Sequence, residues 1–102
     1  MASELADRGE TALRAVDQLL RDRPVKDGPD FSAAIMALST LRDTLIARHR
    51  AGAPALEPLG RLNGVLTVVI AGHYPLGKVP WPHIETARDT LAGLVTELAA
   101  MG

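Results

Sequence analysis

The sequence predicts an all-α protein, a four-helix up-down-up-down antiparallel bundle made of two helical hairpins. Three observations carry that expectation. Apolar residues recur at spacings of three and four through four separate segments. Clusters of Gly and Pro close the first three, in "RDRPVKDGPD", "AGAPA" and "HYPLGKVPWP". The connections are also short, and short connections set consecutive helices side by side and antiparallel. A chain of 102 residues has room for one core, so residues 1–102 are read as a single domain.

The first segment, from about Ser3 to Arg23, lines up Leu5, Gly9, Ala12, Val16 and Leu19 on one helical face. Its other side pairs Glu4 with Arg8, Glu10 with Arg14 and Asp17 with Arg21. Each acid stands four residues before its base, a spacing that adds a few tenths of a kcal/mol on an exposed helix.

The second segment has Asp30 as its expected N-cap and Phe31, Ala34, Leu38, Leu41 and Leu45 as its apolar ridge. Arg48, His49 and Arg50 fall in its last turn, at the negative end of the helix dipole. The third, from about Pro54 to Ala71, is assigned the ridge Leu56, Leu59, Leu62, Leu66 and Val69. Its "LTVVI" at 66–70 also suits a strand by composition, but a lone strand would have no partner for its backbone groups. Towards its C-terminus this segment is apolar on nearly every side. It is therefore either the most buried helix or one covered by another subunit, and Val65, Val68 and Val69 are the candidate dimer contacts. The fourth segment places Pro82 in its first turn and repeats Ile84, Ala87, Leu91, Leu94, Leu98 and Met101.

A faint repeat links the halves. "TLRDTL" at 40–45 and "TARDTL" at 86–91 stand 46 residues apart, and the same offset matches Leu13 with Leu59, Val16 with Leu62, Leu19 with Val65 and Leu20 with Leu66.

Composition narrows the function. Eleven basic and twelve acidic residues give a net charge of -1 with no long block of either sign, which argues against nucleic acid as a partner. With no Cys there is no disulfide, thiol nucleophile or thiolate metal site. The first ten residues, "MASELADRGE", are charged where an export signal needs an apolar core. The run "GVLTVVIAG" is about half the roughly 20 residues a membrane span requires. A cytoplasmic protein with no membrane partner is expected. The excess of Arg over Lys and the wealth of Ala and Leu suggest a GC-rich bacterial genome.

One stretch stands apart. "HYPLGKVPWPH" at 73–83 holds the only Tyr, the only Trp and two of the three His. In an up-down-up-down bundle the first and third connections share an end, so Arg23 and Lys26 should lie beside His73, Tyr74, Trp81 and His83. Trp and Tyr join a large apolar area to a polar tip, and Pro limits the entropy lost on binding. The cluster is therefore either a plug over the bundle end or a binding surface.

No metal site or cofactor is expected, since the spacing of His73 and His83 fits no ligand motif. No Ser has an evident His partner, no phosphate-binding loop is present, and Arg42 and Arg88 fit surface ion pairs better than an anion clamp. The leading expectation is a non-enzymatic protein-protein interaction or oligomerisation module whose partner is itself, as a homodimer, or another protein. The alternative is a small enzyme or ligand-binding protein that holds an anionic small molecule at the His73, Tyr74, Trp81 and His83 end, with Arg23 or Lys26.

Overall fold

The computed structural model describes residues 4–23, 29–53, 55–74 and 77–101. They form four helices, α1 (Glu4–Asp22), α2 (Pro29–Arg50), α3 (Leu56–His73) and α4 (Trp81–Met101), and no strand is present among them. Each helix packs on two neighbours, α1 on α2 and α4, and α3 on the same two. The result is an antiparallel four-helix bundle measuring 42 × 23 × 20 Å.

The buried ridges follow the apolar spacing. In α1 they are Leu5, Gly9, Ala12, Val16 and Leu19, and in α2 Phe31, Ala34, Leu38, Leu41 and Leu45, as the sequence predicts. In α4 they are Ile84, Ala87, Leu91, Leu94 and Leu98, joined by Val95. Some positions matched by the internal offset, such as Val16 and Leu62 or Leu45 and Leu91, are buried alike, whereas Leu20 is half-buried and Leu66 buried. The core is wholly apolar: no polar or charged residue is buried among the described residues.

The third helix departs from expectation in phase. Its segment is helical through 66–70, but the buried side is Leu62, Val65, Leu66, Val69 and Gly72. Leu59 is only half-buried, and Leu56 is 66% exposed. A segment apolar on most sides has no strong preference for its own rotation, so the packing of α2 and α4 decides it.

Local chemistry explains several helix ends. At the end of α1 the Arg23 N–H donates to the Leu19 carbonyl at 2.9 Å, and Arg23 itself takes a left-handed conformation with φ 42°. After α2, Gly52 adopts φ 99°. The Gly52 N–H then reaches the His49 carbonyl and the Ala53 N–H that of Arg48, the paired bonds of a Schellman stop. Helix α3 starts behind Ala55, whose side chain offers no cap. Helix α2 already includes Asp30; the side chain expected to cap it, like that of Met101, lies outside the described residues.

Ion pairs lace α4 to its neighbours. The Arg88 Nε donates to Asp17 Oδ1 at 2.7 Å and its Nη2 approaches Oδ2 at 3.4 Å, a two-pronged bond between α1 and α4. This interhelical pair replaces the expected pairing of Asp17 with Arg21, which bonds Gln18 instead. The Glu4 and Arg8 pair forms as expected, at 2.8 Å. The hydrogen bond from Arg88 to Asp17, then the carboxylate's charge, holds the guanidinium above its ordinary pKa. A raised pKa in the folded state stabilises the fold at every pH below the ordinary guanidinium value, and that contribution is lost only in strong alkali. Arg61 bonds both Glu57 on its own helix and Glu97 on α4.

The glycines of α3 differ in what surrounds them. A methyl group at Gly60 or Gly64 would meet nothing within 4 Å, whereas one at Gly72 would lie 2.9 Å from Ile84 Cδ1 and 3.2 Å from Phe31 Cε1. Gly60→Ala and Gly64→Ala should each stabilise the protein by about 0.5–1 kcal/mol through helix propensity. Gly72→Ala should fall below both by about 1 kcal/mol because the Ile84 side chain must shift and the Phe31 ring give way. Urea denaturation of the three variants checks the ranking.

Candidate functional site

The end of the bundle where α1 and α3 finish and α2 and α4 begin is closed by one array of rings. Phe31, fully buried in the first turns of α2, is its centre. The Trp81 ring stacks on it at 5.7 Å with a 30° tilt, and the His73 ring lies 5.6 Å from it at 47°. Tyr74 meets His73 edge-on at 4.4 Å, and the Arg23 guanidinium carbon lies 5.6 Å from the Trp81 ring centroid. Residues of α2, α3 and α4 meet in it and Arg23, directly after α1, lies over its edge, so the array ties the bundle end together.

The array depends on local backbone chemistry. Trp81 is the first residue of α4, with Pro82 behind it in the first turn, where a missing N–H costs nothing. His73 closes α3, and Tyr74 follows with its N–H donating to the Ile70 carbonyl at 3.2 Å. Arg23 is held in its left-handed conformation by three contacts. Its Nε donates to the Leu20 carbonyl at 3.2 Å, its Nη2 pairs with Glu85, and its guanidinium lies over Trp81.

The sequence grouped the right end of the molecule, but its residues do not converge on one pocket. Arg23 and Trp81 meet at the α1–α4 corner, with Glu85 already neutralising the Arg. His73 and Tyr74 line the α2–α3 groove, and His83 lines the α3–α4 groove with Arg61 and Thr86. An anion at Arg23 would have to compete with the charge of Glu85. Lys26 lies outside the described residues. Among the described residues no group of three or more His, Asp or Glu stands where it could hold a metal ion, and no helix is long and apolar enough to cross a membrane.

The valines proposed as dimer contacts also separate. Val65 and Val69 are buried in the chain's own core, while Val68 is half-buried beside the α3–α4 groove. The apolar surface of α3 lies a quarter turn away. There Ile70 is 39% exposed and Tyr74 68%, and across the groove on α2 Met36 is 69% exposed. The groove has a volume of about 550 Å³, with Ile35 and His73 in its walls and Ser32 and Ser39 as its hydroxyls. The His73 Nδ1 is buried there without a hydrogen-bond partner.

Sequence reasoning left two participants out of the site. Phe31 was read only as a ridge residue of α2; being the sole Phe was the available signal. Met36 carried a weaker signal, an apolar residue off the ridge between Ala34 and Leu38.

The chain matches no protein-family model, no curated protein and no solved structure.

Phe31→Ala should cost about 3–5 kcal/mol, because the emptied volume sits among rings that cannot collapse into it. It should also move the Trp81 emission of the folded protein. Tyr74→Ala, at an exposed position, should stay within about 0.5 kcal/mol of the parent. Denaturation followed by tryptophan fluorescence measures both.

Proposed function

We propose that this protein is a helical interaction module that docks another polypeptide on its α2–α3 face. The observation that carries the reading is a charge asymmetry. No Asp, Glu, Lys or Arg occurs from residue 31 to 41 on α2 or from 62 to 77 through the end of α3. Antiparallel packing lays these two stretches beside each other in the same half of the bundle. By contrast α1 and α4 carry the interhelical ion pair of Asp17 with Arg88, and charges recur along both.

Met36, Ile70 and Tyr74 stand exposed around the groove of that face. Apolar surface left in water carries a penalty of roughly 25 cal/mol per Å², which a partner would remove. Met adapts to irregular contacts, and Tyr adds contact area with few torsions to freeze. The reading asks for no reaction at the ring array, whose rings and cation already serve to close the bundle.

Site-specific photo-crosslinking in the source cells tests this. A benzoylphenylalanine at position 36 should give discrete protein adducts, and one at position 99 on the exposed side of α4 should give none. Equal labelling from both positions, or no adduct from position 36, would refute the docking face.

A further inference from the structure

We infer that the partner of the α2–α3 face is an amphipathic helix of another protein that sets an apolar side chain in the groove and, two turns further along, an Asp or Glu against Arg42. The inference rests on the docking-face reading above and adds the partner's chemistry. A cation without a matching acid carries it.

Register places Arg42 on the docking flank of α2. Ile35 and Ser39 line the groove with Ile70 and His73 of α3, and His49 shares a recess with Leu56 and Glu57 at the start of α3. Arg42 stands seven residues after Ile35 and seven before His49, and seven residues of α-helix return to within about 20° of the starting direction. It therefore lies on the same flank, midway between the two contacts. The matching middle of α3, residues 62–66, holds no acid, and Glu57, the one acid of that helix, pairs with Arg61.

Arg42 is thus left without an acid across the groove. Among the described residues its ion pair is with its chain neighbour Asp43, at 3.8 Å, and its Nε is covered without a hydrogen-bond partner. By contrast Arg88 and Arg61 hold acids at 2.7 and 2.9 Å. The Arg42 side chain is still 38% exposed, which leaves guanidinium donors for a carboxylate, and that pairing takes two N–H groups side by side. An apolar recess ending at a poorly paired cation complements a segment that is apolar first and acidic next.

The form of that segment follows from what the face offers. No strand is present among the described residues, so there is no sheet edge for an extended peptide to join, and a furrow between two helices receives a third helix through its side chains. From the middle of the groove wall, Ser32 to Ser39, to Arg42 is about 10 Å at 1.5 Å per residue. A helix lying along the furrow covers that distance in seven residues, which keeps its apolar anchor and its acid on one face.

The test places benzoylphenylalanine at position 36 in the source cells, in the parent and in Arg42→Glu, Arg42→Gln and the α1 control Arg14→Glu, and sequences the cross-linked segment by mass spectrometry. The expected result is a segment with an Asp or Glu two helical turns from the cross-linked residue. Its yield should fall at least about fivefold in Arg42→Glu, fall less in Arg42→Gln and hold in Arg14→Glu, with the circular dichroism of the purified proteins unchanged. Adducts undiminished in both Arg42 variants, a segment without an acid at that spacing, or a second copy of this chain as the adduct each overturn the inference and leave the docking face standing. No adduct from position 36 removes both.

Discussion

Because no polar or charged residue is buried among the described residues, the polar side chains lie towards the surface or at helix ends, and only single nitrogens such as His73 Nδ1 and Arg61 Nε are covered without a hydrogen-bond partner. Burying an unpaired polar group would cost a few kcal/mol in a small domain whose whole stability is of that order. The small residues of the core, Ala12, Ala34, Ala87 and the glycines Gly9 and Gly72, let the helices approach closely, and leucines fill the remaining space. One large ring, Phe31, occupies the end where the ridges run out. It fits because Gly72 has no side chain there, and it gives Trp81 and His73 a surface on which to close. The tryptophan, tyrosine and histidine that look like chemistry in the sequence are arranged by this one fit.

A dry core also concentrates information on the outer faces, which are unequal. Helix α4 is fastened from both sides, to α1 by Asp17 and Arg88 and to α3 by Arg61 and Glu97. Ion pairs this exposed contribute about 0–1 kcal/mol each. Their larger effect is to fix rotation, since a two-pronged guanidinium bond tolerates little turning of either helix. Over the uncharged half of the α2–α3 side the described contacts are apolar packing and the His73 ring against Phe31.

Much of the fold was legible in the sequence. The ridges of α1 and α2 could be read residue by residue from the apolar spacing, in α1 because charged neighbours fix its rotation, and α4 gained only Val95. The phase of α3 could not be read, because a helix apolar on most sides is oriented by what packs on it; hence Leu56 emerged and Val65 and Gly72 went in. The meeting of the first and third connections was legible from topology, and Arg23 does reach Trp81. The separation of His83 from Trp81 was legible in principle. Once α4 starts at Trp81, two further residues turn about 200° around the helix and carry His83 to the α3 side. Tertiary competition was not legible: Asp17 had a base one turn away and took one from another helix.

The uncharged face and the weakness of α3 as an isolated helix belong together. Its N-cap is Ala55, with no side-chain bond to the first turn, and Gly60 and Gly64 stand exposed in its body, where each costs up to about 1 kcal/mol against Ala. Ion pairs reach it through Arg61, and nothing charged supports it from there to its end. Helix α3 therefore holds its shape through the neighbours that cover it. A partner that covers more of it stabilises the fold by mass action, in proportion to the logarithm of its concentration over the dissociation constant. A partner docked on the uncharged half of α3 would therefore bury surface on a helix whose own N-terminus has no side-chain cap.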